Sequence, residues 1–209
     1  MKLIAVAFEN FPEIYSSTNL PEVILQAAME NEWNWENNDI LILAQKIVSK
    51  AENRFCNLND IKPGNLAIKY ADIIGKDPRL VELILSESSK VLRTRKGLII
   101  VQHKLGFICA NAGIDHSNVR GDEGESEKVV LLLPVNPDKS ALIIQKQIQK
   151  IIKKNIGVII IDSHGRPWRR GVVGVSIGGS GVPAVIDRRG CIDRFGYKLK
   201  ATEIGVADE

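Results

Sequence analysis

Two stretches of this sequence place acid, hydroxyl and amide groups directly behind an apolar run: NAGIDHSNV at 111–119 and IIIDSHGRPWRRG at 159–171. In the first, Asp115 is followed by Ser117 and Asn118. A carboxylate, a hydroxyl and an amide at that spacing can ligate a hard cation or grip a polar ligand, and Mg²⁺ favours one or two such carboxylates with phosphate oxygens and water completing its shell. The same residues also suit a turn closed by side-chain-to-backbone bonds. In the second, Asp162-Ser163 ends an apolar strand. Acid and hydroxyl pairs of this kind share Mg²⁺ in phosphoryl-transfer sites, and they also serve as helix caps or turns. Two such strand ends supply the separate carboxylates that a two-metal site requires.

Basic residues accompany both acids. Arg166, Arg169 and Arg170 follow Asp162 closely, and a guanidinium fork matches carboxylate or phosphate in bidentate fashion. Stacking on Trp168 or a surface ion-pair cluster would use the same arginines structurally. Gln45, Lys46, Ser49 and Lys50 lie just past an apolar strand, where the lysines could meet phosphates as point charges. No G-x-x-x-x-G-K-[ST] occurs, so a Walker-type loop is excluded. GGSG at 178–181 suggests only a tight turn. The histidines (103, 116 and 164) and cysteines (56, 109 and 191) have neither zinc spacing nor a disulfide framework. A G-x-S-x-G nucleophile motif is absent. Hard metals and phosphates remain as the best fit.

The elements that must position these groups alternate early and turn β-rich and Gly-rich late. Residues 2–8 read as a strand, and LPEVILQAAMENE as a helix with Pro21 in its first turn. Asp39–Ala44 reads as a strand buried on both faces, because its apolar run barely alternates. PGNLAIKYADIIG and DPRLVELILSES read as helices. KVLRTRKG and LIIVQHKLGFICAN read as strands joined by a hairpin at Gly97. VVLLLP is a buried strand, and NPDKSALIIQKQIQKIIKK at 136–154 reads as a helix entered through Asp138 or Ser140 as cap. IGVIIID is a strand ending at Asp162, and LKATEIGVADE a final strand. The pattern implies an α+β fold of mixed sheets with flanking helices, in a single domain over 1–209 with room for two interleaved subdomains.

Bulk properties narrow the classes. A net charge of +3 over 209 residues is far below what a nucleic-acid binder concentrates on one face, and QKQIQKIIKK at 145–154 reads as the solvated face of an amphipathic helix. The opening MKLIAVAFEN is too brief for a signal-peptide core. With no apolar run of about 18–20 residues and scattered cysteines, a cytoplasmic protein without nucleic-acid or membrane partners is expected.

The blocks DILILAQKIVSKAENR, VLRTRKGLIIV, ICANAGIDHSNV, LLLPVNPDKSA and the long GVIIIDSHGRPWRRGVVGVSIGGSGVPAVIDRRGCIDRFGYKL…GVADE resemble, in order and spacing, the coenzyme F420-0 gamma-glutamyl ligase family from about Phe11 to Glu209. The resemblance implies a GTP-dependent ligase that activates a carboxylate and joins L-glutamate to F420-0, as a homodimer using Mg²⁺ or Mn²⁺ and a monovalent cation, K⁺. It implies Asp115, Asp162 and Ser163 as metal ligands. Asn118, Gln45, Lys46, Lys50 and the loop Asn10, Phe11 and Pro12 would contact nucleotide, and Arg166 and Arg169 would clamp a substrate carboxylate or phosphate. Members of the family continue past GVADE with a segment that helps close the GTP site, so that C-terminal segment is expected to be missing here. Gln45-Lys46 in place of small hydroxyl residues, and the polar loop RGDEGESEK at 120–128, leave open a folate or pterin-like acceptor. A non-catalytic nucleotide- and metal-binding subunit is the reading from a different class.

Overall fold

The structure, a computed structural model, describes residues 3–119, 128–165 and 170–209. In chain order its regular elements are helix α1 (Leu20–Glu30), strand β1 (Ile40–Ala44), α2 (Gln45–Ala51), β2 (Phe55–Asn57), α3 (Asn65–Ile74), α4 (Pro78–Ser86), β3 (Ser88–Arg95), β4 (Leu98–His103), β5 (Ile108–Ala110), β6 (Val129–Leu131), α5 (Pro137–Ile152), β7 (Gly157–Gly165), β8 (Val172–Ser180), β9 (Ile186–Asp187) and β10 (Glu203–Ile204). The fold is α+β with several small sheets, as the alternation of elements implied. No described helix is long and apolar enough to cross a membrane.

Two larger hydrophobic cores organise the described residues, with a small third cluster of Val119, Val129 and Leu131 against Phe55. In one, α3 and α4 cover the antiparallel sheet β3-β4-β5, burying Ala67, Ile74, Val81, Ile84, Ile99 and Val101. In the other, α1, α2 and α5 surround the sheet β1-β7-β8, with Ile24, Val48, Ile144, Ile148, Val158 and Ile160 inside. The short pair β2-β6 runs beside them. β1 and β7 are parallel, with Ile40 opposite Gly157 and Ala44 opposite Ile161, while β7 and β8 are antiparallel. Helix entry follows local chemistry: Asp77 accepts from the Arg79 amide ahead of α4, and Pro78 and Pro137 occupy first-turn positions where a missing N–H costs nothing.

Several expectations need correction. Among the described residues, 3–8 pair with no strand; Leu3 is 91% exposed, and Glu9 is tied instead to the Asn31 side chain. β1 is an edge strand with Ile40 and Ile42 open to solvent, so its continuous apolar run did not mean burial on both faces. The run 98–111 breaks at a turn with Gly106 at φ 98° and folds back as β4 and β5. The cap of α5 is Asn136, which accepts from the Lys139 amide; Asp138 is used elsewhere, accepting from the Gly179 amide. The final stretch is only the two-residue β10 followed by a 3₁₀ turn at Val206–Asp208.

Gly178 and Gly179 of GGSG lie within β8 rather than in a turn. The reason is contact with α5, not flexibility: a Cβ on Gly178 would stand 2.4 Å from Pro137 Cβ and 2.6 Å from its carbonyl carbon. The first turn of α5 therefore rests directly on the β8 backbone. Gly178→Ala is expected to lower unfolding stability by about 2 kcal/mol or more through this overpacking, measured by urea denaturation.

Candidate functional site

The end of β1 creates the opening in which the site sits. Ala44 is the last β1 residue to pair with β7, opposite Ile161, so β7 loses its parallel neighbour just before Asp162. The chain turns at Ala44 straight into α2, whose first two residues are Gln45 and Lys46. Asp162 therefore does not end its strand, which runs three residues further to Gly165. It lies where the sheet narrows.

Asp115 arrives from the other core. After β5 the chain makes a turn in which Asn111, Ala112 and Gly113 all have positive φ, at 51°, 55° and 66°. Ala112 is buried at 1% exposure among the residues under α4 and β4, so packing holds a backbone that an L-residue disfavours by about 1–2 kcal/mol. Gly113 meets Leu133 so closely that a Cβ would lie 2.7 Å from its Cδ1. Asp115 then exchanges two backbone hydrogen bonds with Leu131, at 3.0 and 2.9 Å. Its backbone is fixed on both sides.

α2 closes the gap between the two. Gln45 Nε2 donates to Asp115 Oδ2 at 2.8 Å, and the Gln45 carbonyl oxygen accepts from Ser49 Oγ at 2.9 Å. Ser49 is fully buried, so it fixes which end of the Gln45 amide faces the carboxylate. Lys46 Nζ lies 3.4 Å from the same Asp115 oxygen and donates to the Ser117 carbonyl at 2.8 Å. Lys50 points the other way and is ion-paired with Glu13, which ties α2 to the loop of Asn10, Phe11 and Pro12. In that loop Asn10 is exposed with φ 54°, and Phe11 packs against the second core.

Burial pushes the Asp162 carboxyl up to about 6. The Ser163 amide, which donates to it, works against that rise, the negative charge of Asp115 adds to it, and Lys46 opposes it. Cys109 is pushed up to about 11 by burial and by the same Asp162 charge, which keeps it a protonated thiol. His116 is lowered by burial and by Lys76, against the pull of Asp115.

Gln45 and Lys46 thus meet at Asp115, and Asp162 lies within electrostatic reach of both Asp115 and Lys46. Ser163 follows Asp162 on an extended strand, so its side chain emerges on the opposite face and is exposed; its amide is what reaches the carboxylate. Asn118 is exposed with φ 55°, three residues beyond Asp115. Arg166 and Arg169 lie outside the described residues, as do 120–127 of the polar loop. Ser49 acts through Gln45 at helical i, i+4 spacing, a signal present in the sequence, whereas nothing local announced Glu13 as the partner of Lys50. Among the described residues no three His, Cys, Asp or Glu side chains cluster. Two carboxylates, one of them half-buried and short of compensating charge, suit a hard cation that takes its other oxygens from hydroxyls, carbonyls, water or phosphate.

Fold and site together define an α+β protein with an acid pair set at the seam of two cores, an arrangement suited to charged oxygens. The chain belongs to the F420-0:Gamma-glutamyl ligase family, whose model matches residues 10–209. The coenzyme F420:L-glutamate ligase of Methanocaldococcus jannaschii is 43% identical over 191 residues, covering 91% of this chain and 72% of that protein. Its namesake in Methanococcus maripaludis strain C6 is 45% identical over 183 residues, 88% of this chain and 71% of the relative. That of Methanothermobacter thermautotrophicus is 39% identical over all 209 residues and 81% of its own length.

A carboxylate whose folded pKa lies above its unfolded value binds protons more readily in the native state, so its ionisation weakens the fold as pH rises from about 4 through about 6. Asp162→Asn removes that term. In metal-free buffer the variant is expected to melt higher than the wild type at pH 7.5, with the difference shrinking towards zero as the pH falls to about 4, read by thermal melts across pH.

Proposed function

We propose that this protein joins L-glutamate to F420-0 through an amide bond, with GTP activating the acceptor. The observation that carries the reading is Asp115 held by Gln45 and Lys46 at the start of α2, with the Asp162 carboxyl within reach of its charge. Membership of the family and the names of its relatives point to the substrates.

In this reading the terminal carboxylate of F420-0 takes a phosphoryl group from GTP, leaving GDP. The amine of glutamate then attacks the activated carbonyl and phosphate departs. Asp115 and Asp162 would hold the divalent cation, Mg²⁺ or Mn²⁺, with K⁺ as a further ion; the Ser163 hydroxyl, on the opposite face of β7, would not reach it. A bound divalent cation supplies charge neutralisation on the phosphoryl oxygens. Gln45 keeps Asp115 oriented, and Ser49 keeps Gln45 oriented. Lys46 brings a mobile positive charge to the nucleotide phosphates. The Asn10–Pro12 loop, tethered through Glu13 and Lys50, borders the nucleotide together with Asn118. Arg166 and Arg169 clamp a carboxylate or phosphate of the substrates. The active form is a homodimer in the cytoplasm.

Incubation with Mn²⁺, GTP, L-glutamate and F420-0 is expected to add glutamate to F420-0, seen by mass spectrometry. GDP and phosphate should appear only when acceptor and glutamate are both present. Asp115→Asn and Asp162→Asn are expected to lower kcat/KM by two to three orders of magnitude, roughly the loss seen when a charge-stabilising group is removed. A mass gain on a folate acceptor alone would replace F420-0 in this reading. Nucleotide-dependent stabilisation with no turnover on any acceptor would reduce the protein to a binding subunit.

A further inference from the structure

The Lys46 ammonium sits in a cradle of oxygens on the turn after Asp115. Its Nζ is 2.8 Å from the Ser117 carbonyl oxygen, 3.4 Å from Ser117 Oγ and 3.4 Å from Asp115 Oδ2. A carboxylate, a carbonyl and a hydroxyl gathered around one compact charge are the donor types that hard cations take. We propose that Lys46 is an internal cation, holding Asp115 until a divalent ion and a nucleotide arrive together and then exchanging that carboxylate for phosphate. The inference rests on the ligase reading above and adds to it a coupling between the two ligands.

Three features support the exchange. Gln45 donates to the same Asp115 oxygen, so the carboxylate keeps a protein partner when Lys46 leaves. The Lys46 side chain is 25% exposed, against 8% for Lys50, whose ammonium is engaged by Glu13. It can therefore swing on its four-carbon stem without unpacking α2. Finally, an ammonium and a divalent ion on one carboxylate repel each other, so ion binding without nucleotide has to displace Lys46 into water. A nucleotide phosphate offers the displaced ammonium a new partner and relieves that repulsion. By linkage each ligand then tightens the other equally.

The test is Mn²⁺ binding to the full chain by electron paramagnetic resonance at controlled free Mn²⁺, with and without GTP and with no acceptor or glutamate. For the wild type, GTP is expected to tighten Mn²⁺ on the order of ten-fold. Lys46→Met should bind Mn²⁺ without nucleotide about five- to ten-fold tighter than the wild type, and its GTP-dependent gain should nearly vanish. Lys46→Arg, which keeps the charge, should bind Mn²⁺ as weakly as the wild type. Should Lys46→Met fail to fold, Lys46→Gln serves the same comparison. Lys46→Met binding Mn²⁺ no tighter than the wild type, while Asp115→Asn and Asp162→Asn abolish binding, would overturn the exchange and leave the acid-pair site standing. Mn²⁺ binding indifferent to both acids would overturn the site reading and the exchange together.

Discussion

Two like-charged carboxylates have to be kept within electrostatic reach of each other, and left alone they would not stay there. One is half-buried where β7 outruns its parallel neighbour and is pushed up to about 6, in part by the other. The protein meets this with donors rather than distance. Gln45 and Lys46 on Asp115, and the Ser163 amide on Asp162, draw off part of the negative charge. What they leave over is the reason the place suits a cation. Charge in a partly buried site is costly unless it is paired, so the incomplete pairing reads as a functional compromise in which stability is lower than it could be.

The arrangement depends on the two cores being separate bodies of packing that share one seam. Asp162 is carried by β7, whose first half is buried in the core with α1, α2 and α5. Asp115 is carried by a turn rooted under α4 and β4. A hydrogen bond between residues 70 positions apart, from Gln45 to Asp115, crosses from one to the other. Because α2 follows β1 with no intervening loop, the position of that bond is set by the β1–β7 ladder itself. Any shift of α5 on β8, where Gly178 permits direct contact, would pass through the same sheet to Asp162.

Much of the framework was legible in the sequence because the long amphipathic helices and the Gly97 hairpin rest on local patterns. The acids themselves were also readable, each standing behind an apolar run. What escaped was whatever depends on a distant partner. Residues 3–8 have the composition of a strand and no strand to pair with. β1 has the composition of a central strand but lies at an edge, because apolar content reports which residues prefer burial and not how many neighbours a sheet supplies. The α5 cap fell to Asn136 over Asp138 because Asp138 was claimed by Gly179, 41 residues away. Lys50 has Glu13 as its partner, 37 residues away, and that pairing exists only in three dimensions.

The turn at Asn111, Ala112 and Gly113 winds against the handedness that L-residues prefer. Side-chain packing and the Ile114 amide donating to the Asn111 carbonyl keep it wound, so local backbone tension and tertiary contact are balanced against each other a few bonds from Asp115. Whatever loosens the helices above it, whether heat, denaturant or a cavity left by a trimmed side chain, releases that tension first. The amide hydrogens of Ile114 and Asp115 should then exchange with solvent ahead of those in β4 or β7. The acid would lose its aim while most of the molecule is still folded, so thermal inactivation should run ahead of thermal unfolding.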